Sequence, residues 1–346
     1  MPANLSPEYK QAEQAFRRAR EPRERLESLK EMLRSIPKHK GTEHLQADIK
    51  SRIKELTDEL SGPRKTGHKG PSHTMRPEGA AQICLIGPPN AGKSSLHARL
   101  TGSHTEIGPY PYTTKLPVPG MLPFEDIHFQ LVDLPPISAD FMEPWWASAV
   151  QQADAALLVI DLADPDCAEQ LLLILDRLAE KKITLIECWP GPLREPGAAP
   201  STGYADPEGS VADPFHLYLP TLLIGNKADL ANPEDALVLE ELCHVRFPAL
   251  ATSTVTGQGM GEIGRFLFDG LNIVRVYTKA PGKPPERERP FTVRRGDTVV
   301  DVARLVHHDI ARSLKFARVW GSGQFDGQHV GPDHAVADSD VVELHA

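Results

Sequence analysis

The octapeptide Gly87-Pro88-Pro89-Asn90-Ala91-Gly92-Lys93-Ser94 constrains this chain more than any other stretch, because of what stands on either side of it. The apolar run QICLIG precedes it and SSLHARLTG follows, so the order is strand, G-x-x-x-x-G-K-S, helix. In that setting the glycines let backbone N–H groups wrap a phosphate, and the start of the helix adds partial positive charge. Lys93 would reach the outer phosphate oxygens. Ser94, with Ser95 next to it, would present a hydroxyl to Mg²⁺. A chance Gly-rich turn has no reason to carry both flanks.

The surrounding texture agrees. IHFQLVD, AALLVID, TLLIGNK and PALATS are short apolar runs alternating with helical stretches. Continuous rather than alternating apolar strands are expected where helices cover both faces of a parallel sheet. The expected fold class is therefore α/β, a doubly wound domain over residues 81–274. Residues 190–216 are rich in Pro and Gly, too long for an ordinary connection, and read as a mobile insertion.

Two later motifs specify the base. Asn226-Lys227-Ala228-Asp229 stands at the end of an apolar strand, where the Asp229 carboxylate would accept from guanine N1–H and the exocyclic amine; adenine has no such donor pair. Ser253-Thr254-Val255 follows the next strand and would offer a backbone N–H to the guanine oxygen. Alone, N-K-x-D is as often a helix cap; after a phosphate loop and in this order it is a specific signal. Asp133 ends the strand HFQLVD, a place from which a carboxylate holds Mg²⁺ through water. Thr113 and Thr114 lie between the phosphate loop and Asp133, where one threonine would meet the metal when a third phosphate is present. A solvated turn is the other reading, and which of the two threonines points inward stays open.

Both flanks are different in kind. Ser6-Pro7-Glu8 reads as an N-cap, a first-turn proline and an acid matched to the helix dipole. Leu26, Leu29, Leu33 and Ile36, then Leu45, Ile49, Ile53, Leu56 and Leu60, form helical stripes interrupted at Pro37, giving a helical hairpin over residues 1–60. A basic Gly/Pro-rich linker over 61–80 follows. From Ile273 onward, strand-like IVRVYTK, PFTV, FARVW, QHV and DVVELH surround one helix announced by the capping pattern Thr298-x-x-Asp301, with Val302, Val306, Ile310 and Leu314 as its buried contacts. That is a small α+β module.

Charge is unevenly spread. Residues 1–80 hold 17 Lys+Arg against 12 Asp+Glu, residues 81–272 hold 10 against 25, and residues 273–346 hold 11 against 10. Basic ends joined to an acidic middle suit a protein that touches a polyanion with its ends, although solvated helix faces produce such charge too. Four scattered cysteines, Cys84, Cys167, Cys188 and Cys243, form no Cys-x-x-Cys pair; they are expected to be reduced and structural. The N-terminus lacks a signal-peptide core and no run approaches a membrane span, so a cytoplasmic protein is expected.

GPPNAGKSSLHARLTG, YPYTTKLPVPGM, LVDLPP and NKAD resemble the Obg-like GTPases. IPKHKGTEHLQADIK, RVYTKAPGKPP, FARVWG and VGPDHAVADSDVVELH are similar to the branch of developmentally regulated GTP-binding proteins, over nearly the whole chain. The resemblance implies that residues 275–346 form a TGS domain of β-grasp fold. It also implies a GTP-hydrolysing switch linked to translation, meeting a ribosome or RNA through its TGS and N-terminal regions, with room for a regulatory protein. One departure matters. Ras-like proteins place after the strand-end Asp a glycine whose N–H meets the γ-phosphate and a glutamine that orients water; here Pro136, with no N–H, and Ile137 stand there. A slow hydrolase is expected, or alternatively a guanine-nucleotide-binding scaffold with little turnover. Besides Lys93, the candidate catalytic group is Asn90, whose place in the loop resembles that of GTPases in which K⁺ acts in place of an arginine finger; a plain turn-former is the other reading.

Overall fold

The computed structural model describes residues 6–19, 22–37, 42–60, 75–103, 116–139, 142–191, 215–231, 243–323 and 325–346. Thr113 and Thr114, the body of the basic linker and most of the 190–216 insertion lie outside these residues. The chain divides into two compact units, Met1–Met75 with Ala199–Tyr218, and Arg76–Ala198 with Leu219–Ala346.

The first unit is helical: α1 (Pro7–Arg18), α2 (Pro22–Ser35) and α3 (Glu43–Leu60). Ser6 caps α1, its hydroxyl accepting from the Tyr9 N–H at 3.2 Å. Helix α2 ends before Pro37, whose carbonyl accepts from Thr42 Oγ1 at 2.5 Å. Tyr9, Phe16, Leu29, Met32, Ile36 and Ile49 make the core. Phe215, near the end of the insertion, belongs to this unit too. Its ring meets Phe16 edge-on at 6.2 Å, with the Arg52 guanidinium 4.2 Å from its centroid; this end of the expected mobile insertion is packed.

The second unit holds two sheets. The first contains β1 (Gln82–Ile86), β2 (Val118–Phe124), β3 (Ile127–Asp133), β4 (Ala155–Asp161), β5 (Ile183–Ile186), β6 (Leu217–Asn226) and β7 (Ala249–Ala251). Its order is β2-β3-β1-β4-β6-β5, with β7 beside β6. β1 is parallel to β3 and β4, and β4 to β6; all of β1 is buried, as continuous apolar runs foretold. Helices α4 (Lys93–Thr101), α5 (Trp146–Val150), α6 (Cys167–Ala179) and α7 (Met260–Gly270) accompany this sheet. β2 is antiparallel to β3 and lies at the sheet edge. It holds Pro119, Gly120 and Pro123, residues disfavoured inside a sheet but tolerated at its edge.

The second sheet runs β11-β10-β12-β8-β9, from β8 (Ile273–Thr278), β9 (Glu286–Arg294), β10 (Phe316–Trp320), β11 (Gln328–Val330) and β12 (Asp340–His345). Helix α8 (Val299–Val306) closes one face over Val274, Val276, Val293, Ala317, Val319 and Val342. Thr298 and Asp301 form the expected capping box, the Asp301 carboxylate accepting from Thr298 N at 2.9 Å. The single long helix expected there is instead two. His307 is extended (φ −166°, ψ 134°), and its Nδ1 accepts from Asp309 N to start α9 (His308–Ser313). Val302 is accordingly buried, whereas Val306, Ile310 and Leu314 are only partly so.

Arg275 on β8 fastens this sheet to the β2–β3 turn. Its guanidinium donates to Glu125, to Asp126 at 3.0 Å and to Asp338 at 2.7 Å, and lies 5.0 Å from the Phe268 ring centroid. Tyr277 donates to the same Asp126 carboxylate. On β9, Arg294 donates to Asp154 at 2.8 Å and to the Leu271 carbonyl at 3.0 Å. Among the described residues no helix is long and apolar enough to cross a membrane.

Candidate functional site

The loop between β1 and α4 is shaped by contacts that leave no room for side chains. A Cβ at Gly87 would lie 2.3 Å from the Val159 carbonyl oxygen of β4, and one at Gly92 (φ +88°) would lie 2.3 Å from Asn226 Nδ2. Pro88 and Ala91 are buried, Pro89, Gly92, Ser94 and Ser95 half-buried. Asn90 sits exposed at the crest in the left-handed region (φ 61°), a conformation asparagine tolerates better than other side chains.

Lys93, almost fully buried, folds its ammonium back to donate to the carbonyls of Gly87 at 3.1 Å and Pro88 at 2.7 Å. Burial pulls its pKa down to about 8, against the opposing pull of Asp133. Ser94 Oγ donates to Asp133 Oδ2 at 2.6 Å, and Asp133 itself is fully buried. A hydroxyl and a carboxylate, both hard oxygen donors, thus meet beside the phosphate loop; this pair suits Mg²⁺, which takes few protein ligands and relies on substrate phosphates.

The two segments expected to read the base are bound to each other and to the loop. Asn226 Nδ2 donates to the Ala91 carbonyl at 2.9 Å, while Thr252 Oγ1 donates to Asn226 Oδ1 at 3.4 Å. The Ala228 N–H reaches the Thr252 carbonyl at 3.0 Å. Asn226 therefore acts inside the protein, tying β6 to the phosphate loop. Lys227 is left-handed (φ 59°) and its ammonium pairs with Asp161 at 2.5 Å. Asp229 is exposed beyond it, and Leu230 and Val255 are 70% and 80% exposed. Ser253 is buried; its Oγ accepts from both the Val255 and Thr256 N–H groups, at 3.2 and 3.1 Å.

The segment after Asp133 is pinned. Leu134, Pro135, Pro136 and Ile137 are all buried. The Ile137 N–H donates to the Gly87 carbonyl at 3.2 Å, and Trp146 Nε1 donates to the Pro135 carbonyl at 3.2 Å. Both anchors point away from solvent.

Three contributors were not anticipated. Asp161 ends AALLVID as Asp133 ends HFQLVD, a parallel that would have revealed it. Trp146 and His97 carry no local signal. His97, buried behind the phosphate loop, sets Nε2 3.4 Å from the Leu131 carbonyl, and burial lowers its pKa.

Comparison with known proteins follows the same outline. The family model described as 50S ribosome-binding GTPase matches residues 82–188, and the TGS domain model matches residues 274–346. An uncharacterised GTP-binding protein of Methanocaldococcus jannaschii is 27% identical over 93% of this chain and 92% of its own. Developmentally-regulated G-protein 2 of Arabidopsis thaliana is 26% identical over 93% and 90%, and developmentally-regulated GTP-binding protein 1 of Xenopus laevis 24% over 92% and 98%. The structure of the Schizosaccharomyces pombe YchF GTPase aligns over 78% of this chain and 99% of that one, with TM-score 0.54 at 14% identity, which is a likeness of fold. The strand–loop–helix at residues 82–101, the parallel sheet around it and the C-terminal module, with the two matched family models, define a P-loop GTPase with a C-terminal TGS domain. More narrowly, the chain belongs to the Obg-like GTPases, among the developmentally regulated GTP-binding proteins.

Proposed function

We propose that the chain is a GTP-hydrolysing molecular switch of slow intrinsic rate that works in the cytoplasm in contact with a ribosome or RNA. The observation that carries the nucleotide part is the Asn226 amide bonded to the Ala91 carbonyl, which couples the base-reading strand to the phosphate loop at 2.9 Å. Asp229 would read guanine, aided by a backbone N–H of Ser253-Thr254-Val255; because Ser253 Oγ already takes the Val255 N–H, Thr254 is the preferred donor. Lys93 would bind the outer phosphates. Ser94 and Asp133 would hold Mg²⁺, together with one of Thr113 and Thr114, and the metal would offset phosphate charge. Asn90, exposed at the crest, is the proposed ligand for a K⁺ that assists hydrolysis.

The ribosome or RNA link is supported by the description of the matched GTPase family, by the TGS match and by the basic excess of residues 1–80. We propose the corresponding division into residues 1–60, 61–80, 81–274 and 275–346, with room for a regulatory protein. A second reading, a nucleotide-dependent scaffold with little turnover, draws on the buried Pro135-Pro136 segment, which offers no N–H at position 136. Phosphate release from GTP by pure protein separates the two. Release in K⁺ supports the switch; none in either K⁺ or Na⁺ supports the scaffold. Ribosome co-sedimentation with GDP and with a non-hydrolysable GTP analogue tests the partner, and equal absence in both states would overturn it.

A further inference from the structure

The second sheet has a face that its helix does not cover. Residues that pair in register share a side, so Arg318 with His329 and Glu343, and Phe316 with His345, point away from α8. At the β8 end this side meets the Glu125–Asp126 turn through Arg275 and Tyr277. Across β12, β10 and β11 three rings stand in a column. His345 and Phe316 are stacked with centroids 4.4 Å apart and planes 11° apart, and Phe316 and His329 at 3.9 Å and 22°. His329 is exposed at the end of that column, and so is Arg318, its partner across the β10–β11 ladder. Lys279 places its ammonium 4.2 Å from the Trp320 ring centroid. Glu343, the one acid that β10, β11 and β12 turn to this side among the described residues, is almost fully buried. It is paired with Lys279 at 3.0 Å and His345 at 2.8 Å, so it does little to repel an anion.

Rings spaced like stacked bases, with an exposed arginine beside them, match an unpaired nucleic-acid strand, which needs a π-face for each base and positive charge near its phosphates. A protein interface would centre on apolar side chains free of charge, and the aliphatic residue here, Val341, is already buried. We propose that this part of the TGS sheet binds single-stranded RNA. An unpaired base continues the ring column on the outer face of His329, and Arg318 takes an adjoining phosphate. The assignment rests on the reading that the chain contacts RNA, and gives that contact a place and a substrate class.

The test uses the full-length protein, short fluorescent single-stranded RNA oligonucleotides at fixed salt, and ribosome co-sedimentation in parallel. His329→Ala is expected to weaken oligonucleotide binding about tenfold. Arg318→Glu should weaken it similarly and make the remaining binding less salt-dependent. Arg312→Glu, on α9, should change it little, and GTP affinity should be equal in all. The proposal is overturned if the unsubstituted protein holds no oligonucleotide, or if Arg312→Glu matches Arg318→Glu. It is also overturned if His329→Ala and Arg318→Glu bind RNA normally. In that last case, loss of ribosomes by the same variants would give the face to a protein partner. Retention would leave ribosome association standing and locate it elsewhere.

Discussion

Lys93 shows how one residue carries the state of the site. With its ammonium buried against two carbonyls and its pKa drawn down to about 8, it holds a charge that only a phosphate can compensate fully. Binding a nucleotide must raise that pKa, so the sign of the linkage is set. Near pH 7 the lysine is protonated before and after binding. Above about pH 8 the free protein loses the proton and must regain it, so affinity should fall by roughly tenfold per pH unit there. Calorimetry at pH 9 in buffers of different ionisation enthalpy should register uptake of nearly one proton, and Lys93→Ala should abolish it. The role proposed for Asp229 rests on chemistry alone. Its exposed carboxylate at the end of β6 would accept two guanine donors, each such charge-assisted bond contributing about 2 kcal/mol. Asp229→Asn should weaken GTP by about a hundredfold and favour xanthosine triphosphate, as competition binding would register. Unchanged GTP affinity would sink the assignment.

At the scale of elements, the segment from Leu134 to Ile137 answers whether a proline disarms the usual γ-phosphate sensor. Replacing Pro136 by glycine would restore an N–H, yet the flanking backbone stays anchored, Ile137 to Gly87 and Pro135 to Trp146. Pro136→Gly should therefore change hydrolysis less than threefold, a rate difference below about 1 kcal/mol. Rates should be higher in K⁺ than in Na⁺, and Asn90→Ala should remove that difference. Equal rates in both salts would count against the cation; a large gain in Pro136→Gly would reveal the proline as a brake. The left-handed backbone of Asn90 also suits a mere turn-former, which is why the salt comparison rather than loss of activity decides. The prolines of β2 teach the same lesson about edges: residues that argue against a strand in sequence are accommodated where one side of the strand has no partner.

For the whole second unit, Arg275 is one fastening between the two sheets, with Arg294 a second. Burial alone would raise the Asp126 carboxyl, but the Tyr277 hydroxyl and the Arg275 guanidinium outweigh it and hold that pKa below its usual value. Asp338 is lowered likewise, Arg275 outweighing burial. Carboxyls lowered in the folded state contribute stability that is complete above their unfolded pKa, about 4, and lost as pH falls further. Arg275→Ala should destabilise the protein by about 2 kcal/mol by leaving acids clustered without their partner. It should also flatten the decline of Tm below about pH 4, measured by calorimetry between neutral and acid pH. Removing the TGS domain from residue 276 onward is a blunter instrument. It cuts through β8, whose Ile273 sits in the core of the first sheet and whose Val274 and Val276 sit in that of the second.

What the sequence determined by itself is whatever neighbours along the chain can specify. The G-x-x-x-x-G-K-S loop between strand and helix, the N-K-x-D at a strand end, the Ser6 cap and the Thr298–Asp301 box all depend on residues a few positions apart, and each stands where its pattern placed it. The parallel sheet was legible because burial on both faces demands unbroken apolar runs. Contacts made across strands had no such signature. The Asp161–Lys227 pair spans 66 positions, the Asn226–Ala91 bond 135 and Arg275–Asp126 149. The His345–Phe316–His329 column exists only because β12 and β11 flank β10 in one particular register. A period or a cap is a local balance of sterics and hydrogen bonds, whereas register and domain docking are chosen by packing among segments that the chain brings together only once it has folded.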